Sequence, residues 1–301
     1  MRQYYVVAGL LLASQPVLAQ TAASAPHDPV VNDPALGDSL YPPHTAELSF
    51  QSHGSRLNGF FYLAQGGSPH PTVILLHGFP GNERNLDLAQ SLRRAGMNVL
   101  YYDYRGSWGS AGTFSFAHAL EDVAAAMEFV RSDSSVKAFR VDPKRITLLG
   151  HSLGGWLTLM SAAADSSIAC SVALDFWNVG GDGREMSSNS KADSTATAYI
   201  QSVSGTGAPL SADGLALVAE IKAHGNEWDP IRSAALLRAR PLLLISTTAN
   251  QSHQRLTAAV RQGSTNRLTA LQWKTDHGFS DRRIQLAHTI VEWLQQRRCM
   301  R

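Results

Sequence analysis

Five short, mostly apolar runs recur along this chain: "TVILLHGF", "NVLYYDY", "RITLLG", "ACSVALD" and "PLLLIST". Each has the length of a strand and is stopped by a glycine or a small polar residue, which suits a strand buried on both faces. Stretches with helical apolar spacing lie among them: "NLDLAQSLRRAG", "FAHALEDVAAAMEFVRS", "LGGWLTLMSAAA" and "QRLTAAVRQ". A closing helix, "DRRIQLAHTIVEWLQQRR", carries Ile284, Ala287, Ile290, Val291 and Leu294 on one side. Such alternation predicts an α/β fold, a mostly parallel sheet with helices on both faces. Upstream, "TAELSF" and "RLNGFFYLA" read as a hairpin around "QSHGS", and "RLTALQW" reads as the last strand.

The 301 residues suffice for one large α/β domain. A formal charge of +2 gives no electrostatic reason to expect nucleic acid as a partner. The start, "MRQYYVVAGLLLASQPVLAQ", has an early arginine, an apolar stretch and Val17-Leu18-Ala19. That is the layout of a secretory signal peptide spanning 1–19, cut after Ala19. The expectation is an exported protein, periplasmic or extracellular, with no stable membrane anchor after cleavage. Residues 20–44 read as an extended, weakly ordered lead-in, and the folded domain as 45–301. Export permits a disulfide. Cys170 falls in a buried strand and Cys299 at the far C-terminus, so the two are expected to stay unpaired.

Between Asp175 and Pro241 about sixty residues break the rhythm, a length that in a compact domain marks a functional or mobile segment. The insertion, about 178–238, is read as a cap over a pocket, helical through "ADGLALVAEIKAHG". Tyr199, Leu215, Leu217, Val218, Ile221 and Trp228 would be its packing residues.

The chemistry centres on "GHSLGG" at 150–155. A G-x-S-x-G sequence alone is weak evidence; between a buried strand and a helix it has the context of a nucleophile elbow. Ser152 then sits on a sharp bend, and the helix starting at Leu153 points backbone N–H groups at developing negative charge. A serine needs a base. His277, in "TDHGFSDRR", follows the last strand and so lies on the same sheet edge. "LLHGFPGN" also ends on that edge, making the Phe79 amide a partner for that of Leu153 in an oxyanion hole.

Taken in order, "LLHGFPGN", "YYDYRGSWGS", "GHSLGG" and "DHGF" resemble the motifs of the alpha/beta-hydrolase superfamily. The likeness runs from about Thr45 to the C-terminus and is nearest to prolyl-oligopeptidase-type and dienelactone-hydrolase-type members. It implies an eight-stranded sheet, a triad in the order serine, acid, histidine, and no metal or organic cofactor. It also assigns Asp103 and Arg105 of "DYRG" to loop architecture. The family's usual acid follows the strand "PLLLIST", where this chain has Asn250. An amide cannot stabilise an imidazolium as a carboxylate does. Asp175, ending the strand before, is the preferred acid and Asn250 the alternative third member. Asp276, adjacent to His277, has a side chain that diverges from the ring.

The resulting expectation is a serine hydrolase acting on carboxylic esters or related small acyl compounds. A peptidase or amidase on the same machinery is the second reading, with Arg184, Glu185 or Lys191 available to grip a peptide terminus. A non-catalytic binding protein on the same fold is the third, since a fold does not fix function.

Overall fold

The computed structural model describes residues 27–35, 37–263 and 266–300. The expected leader, 1–19, lies outside them. The strands are β1 (His44–Ser52), β2 (Ser55–Leu63), β3 (His70–Leu76), β4 (Asn98–Tyr102), β5 (Val141–His151), β6 (Cys170–Leu174), β7 (Leu242–Thr247) and β8 (Leu268–Trp273). They form one sheet in the order β1-β2-β4-β3-β5-β6-β7-β8. From β4 to β8 all neighbours pair in parallel, while β1 and β2 form an antiparallel edge. The hairpin between them is tighter than "QSHGS" suggested. His53 and Gly54 both take positive φ, 46° and 79°, so two residues reverse the chain and pairing continues to Ser52 and Ser55.

Side-chain alternation along the buried strands divides the core between two faces. Val73 and Leu75 of β3 pack toward α1 (Leu86–Arg94) and α10 (Arg283–Gln296). Ile74 and Leu76 face the other way, toward α2 (Phe116–Arg131) and α4 (Leu153–Ala164). On that second side α9 (Gln251–Arg261) covers β7 through Leu256 and Val260. A short helix, α3 (Asp133–Phe139), was not apparent in the sequence; Ser132 caps it by accepting from the Ser135 amide.

The glycine- and serine-rich insertion folds into α5 (Val179–Ser188), α6 (Ser190–Ser202), α7 (Gly214–Ala223) and α8 (Ala234–Leu237). Its glycines serve close packing. A Cβ at Gly183 would come within 2.2 Å of the Ile221 carbonyl oxygen, so α5 and α7 meet backbone to backbone. Leu217, Val218, Ile221 and Trp228 are buried as expected. Tyr199 and Leu215 are not, at 51% and 56% exposed. Leu215 sits in the first turn of α7, and Tyr199 lies on the surface with its ring edge-on to Phe79. The segment is pinned to α2 by Glu220, whose carboxylate accepts the Phe116 and Ala117 amides.

Three further expectations are corrected. Ile284, placed on the apolar side of the last helix, is 60% exposed: it stands in the first turn, at the flank of a stripe made by Leu286, Ala287, Ile290, Val291, Trp293 and Leu294. The described part of the lead-in is anchored: Arg94 donates to the Pro29 and Val30 carbonyls, and His288 pairs with Asp28. Cys170 and Cys299 form a disulfide. Packing of α10 across the sheet returns the C-terminus to the start of β6, a proximity that sequence distance conceals.

Candidate active site

Ser152 bridges β5 and α4 with φ 57° and ψ −116°, a conformation costly for a residue with a side chain. The elbow's glycines make it sterically feasible. A Cβ at Gly150 would lie 2.0 Å from the Gly154 carbonyl oxygen, and one at Gly154 2.0 Å from that of Leu76. Backbone bonds fix the bend, with the Ser152 amide donating to the Leu174 carbonyl and the Ser152 carbonyl accepting from Trp177.

The loop after β3, expected to offer the Phe79 amide to an oxyanion, is set by its own first residue. His77 is buried, and its Nδ1 lies 2.7 Å from the Gly78 carbonyl oxygen, so Nδ1–H donates. Burial above all lowers this imidazole to about 4, so it is neutral at physiological pH. In a trans peptide the carbonyl and the following N–H point opposite ways. Fixing Gly78 O toward His77 therefore turns the Phe79 N–H away from that ring. A Cβ at Gly78 would stand 3.2 Å from Ser152 Cβ, which puts this peptide beside the serine. Among the described residues, neither the Phe79 nor the Leu153 amide has a hydrogen-bond acceptor in the protein.

His277 lies on the turn between β8 and α10, its side chain 58% exposed. Its Nδ1 is 2.6 Å from Asp175 Oδ2. Asp175 directly follows β6, at φ 37°, and is buried. Burial pushes its carboxyl up, but hydrogen bonds from His277, Asn250 and the Thr247 amide outweigh this and hold it below the usual aspartate value. Asp175 Oδ1 accepts from the Thr247 amide and from Asn250 Nδ2, each at 3.0 Å. Asn250 thus touches the carboxylate and not the imidazole. Its own Oδ1 caps α9 by accepting the His253 amide. Asp276 accepts the Ser280 amide and ties the turn.

Ser152, Asp175 and His277 line one cavity of about 710 Å³. Among the described residues no hydrogen bond joins Ser152 Oγ to His277; in unliganded sites such contacts are often long and tighten around substrate. Its lining is otherwise largely polar, with Asn178, Asp182 and Glu185 at or in α5 and Gln251, Ser252 and Arg255 in α9. Trp177 Nε1 donates to Asp182 at 2.5 Å. Arg184 reaches the cavity but is bound to Asp229 and the Gly225 carbonyl. Lys191 does not line it. Asp103 and Arg105 lie outside it: Arg105 grips Asp122 by backbone and side chain, and Asp103 accepts from Tyr101.

The sequence reading overlooked two contributors. His77 was seen only as part of "HGF", and its link to Gly78 needs the loop's conformation to be visible. His151 sits inside the elbow motif, and its partner is 126 residues away. No group of three or more His, Cys, Asp or Glu among the described residues is arranged to hold a metal.

The sequence pattern of the Alpha/beta hydrolase family matches residues 73–289. The chain is 34% identical over 141 residues to the uncharacterized protein YfhR of Salmonella typhimurium, covering 44% of this chain and 46% of that one. It is 35% identical over 102 residues to an uncharacterized protein of Mycobacterium tuberculosis, 34% of each chain. The match thus spans less than half the length of these curated relatives. Among solved structures, the Pyrococcus furiosus esterase Pf2001 superposes with a TM-score of 0.60 at 17% identity, covering 84% of this chain and 91% of the other. Est1E of Butyrivibrio proteoclasticus, solved with ferulic acid, gives 0.59 at 16% identity, with 83% and 98% covered. At such identities the two structures speak to fold alone. With the family's pattern covering more than half of the sequence, the chain belongs to the alpha/beta hydrolase family.

Proposed function

We propose that this protein is a serine hydrolase of small carboxylic esters, working through an acyl-enzyme on Ser152. The 2.6 Å bond between His277 Nδ1 and Asp175 Oδ2 carries the reading. It leaves Nε2 as the free ring nitrogen beside a cavity that also holds the serine. Ser152 Oγ attacks the ester carbonyl carbon while His277 Nε2 takes the hydroxyl proton. Asp175 holds the ring in the matching tautomer and stabilises the imidazolium. The Phe79 and Leu153 amides receive the oxyanion. As the carbon–oxygen bond breaks, His277 returns the proton to the departing alcohol; a water, deprotonated by His277, then releases the acid and frees Ser152.

The polar walls favour compact, polar esters over long acyl chains. Peptides are the second reading: of the two cations the sequence offered for a peptide carboxylate, Arg184 is paired with Asp229 and Lys191 does not line the cavity, which leaves Arg255 as the cation such a reading would need. Export is part of the proposal and is supported by the Cys170–Cys299 disulfide, a bond favoured outside the cytosol. Among the described residues no helix is long and apolar enough to cross a membrane.

A fluorophosphonate probe on the purified protein is the test. We expect labelling of the wild type and none of Ser152→Ala, together with loss of p-nitrophenyl acetate and butyrate turnover by a factor on the order of 10⁵ or more. An unlabelled, correctly folded wild type favours the binding-protein reading instead.

A further inference from the structure

His151 is the residue between the elbow glycine and Ser152, and it is 4% exposed. Its Nε2 lies 2.8 Å from the backbone carbonyl oxygen of His277. The two imidazoles are neighbours, with ring centroids 4.6 Å apart, and the Phe279 ring stands edge-on to His151 at 6.3 Å. His151 Nδ1 is buried and, among the described residues, has no hydrogen-bond partner. Only an N–H can meet a carbonyl oxygen, so the ring is in the Nε2–H tautomer with its lone pair on Nδ1.

This bond matters because the base's other restraints act on its ring or on neighbouring residues. The His277 ring is 58% exposed, so packing alone does not aim it. Asp175 holds the ring at Nδ1, which still leaves the backbone beneath it free to shift. Elsewhere the turn is tied at Gly278, whose carbonyl accepts from Arg283, and at Asp276. At residue 277 itself the backbone tie among the described residues is His151. Since His151 is covalently joined to Ser152, it registers the nucleophile and the base against each other.

We propose that His151 is a positioning residue for the reacting pair: its Nε2–H holds the His277 carbonyl, and so keeps the imidazole aimed at the neighbouring serine. The proposal rests on the reading of Ser152 and His277 as nucleophile and base. The charged and titratable groups facing His151 are His277, Asp175 and Arg283. Burial first, and then the His277 charge, lower its ring to about 4. His151 therefore stays neutral while its neighbour cycles through the imidazolium, and adds no like charge beside it.

The test compares His151→Phe, His151→Asn and His151→Gln in the full chain with p-nitrophenyl butyrate. Phenylalanine keeps the ring volume and loses the donor, asparagine has a donor that falls short, and glutamine places an amide N–H near the position of Nε2. We expect kcat to fall by about 10- to 100-fold for phenylalanine and asparagine with KM nearly unchanged, since small misplacements of reacting groups cost rates of this size. Glutamine should restore most of the loss. If the phenylalanine variant does not fold by circular dichroism, asparagine carries the comparison. Wild-type kcat in a folded donor-less variant, an effect confined to KM, or a loss that glutamine leaves unrepaired overturns the proposal. The low-field NMR resonance of the His277 Nδ1 proton reads positioning without any turnover. It should broaden or shift in His151→Phe and return in His151→Gln, and an unchanged resonance counts against the role. Fluorophosphonate labelling of the wild type judges the serine-hydrolase reading separately.

Discussion

Two regions of the site achieve order by opposite means. The serine side is local: Gly150, Ser152 and Gly154 are consecutive in motif, and a strand and a helix clamp the bend from both ends. The histidine side is assembled at a distance. His277 is exposed, on a turn, and depends on Asp175 and His151, which lie 102 and 126 residues away. A nucleophile on an elbow is preorganised by its own backbone, whereas the base is preorganised by tertiary hydrogen bonds. Substitutions that spare the elbow and attack the distant contacts should therefore separate catalysis from folding.

Asp175→Asn should do so most strongly. It preserves shape but turns a charge-assisted acceptor into an amide that can present N–H to the ring and favour the wrong tautomer. We expect kcat to fall by about 10⁴-fold with KM little changed, the size of the corresponding effect in a serine protease. Ser152 and its elbow should be unaltered in structure. Steady-state kinetics and a thermal melt together decide it; a loss of only a few-fold means that another group orients His277.

Much of this comparison was already written in the sequence, and unevenly. The elbow, the strand before it and the helix after it are short-range features, so "TLLGHSLGG" displays them. The eight-stranded sheet followed from the apolar runs together with the family resemblance. Asp175 could be preferred over Asn250 because β6 ends on the right edge beside β5, and the structure brings that carboxylate to His277. The insertion was harder to read, because "GGDGREMSS" has the composition of a loop. Gly183 is demanded by the approach of α7 and Gly180 by the backbone at Trp228 and Asp229, which no local pattern records. The disulfide was missed for the same reason: 129 residues separate Cys170 from Cys299, and only the path of α10 brings them together.

That disulfide offers a second way to sharpen the contrast. β6 begins at Cys170 and ends next to Asp175, and α10 follows the His277 turn and leads to Cys299. The bond therefore staples the two elements that carry the proposed acid and base, at their ends remote from the cavity. Cys299→Ser should lower unfolding stability by roughly 2–5 kcal/mol, as expected for closing a long loop. Because the staple is a full strand away from the chemistry, kcat in the folded protein should change less than about threefold, within the additivity seen for distant sites. Denaturant titration beside kinetics checks both halves, and a large loss of kcat without loss of stability would mean that the staple tunes the site directly.

Asn250 should give the smallest effect on stability and the most divisible one, because its one side chain performs two tasks. Nδ2 donates to Asp175 and to the Phe176 carbonyl, and Oδ1 caps α9. Asn250→Ala removes both. Asp175 keeps the Thr247 amide, so we expect kcat to fall only about tenfold, the worth of one hydrogen bond to a charged group. Stability should drop by about 1 kcal/mol for the lost cap. Asn250→Ser separates the tasks, since its hydroxyl can cap the helix but is too short to reach Asp175. Equal losses of kcat in the two variants, with stability lost only in alanine, would show that the amide acts on the base by holding its carboxylate. A loss of kcat confined to alanine would mean that the position of α9, and not the bond to Asp175, is what the histidine side requires.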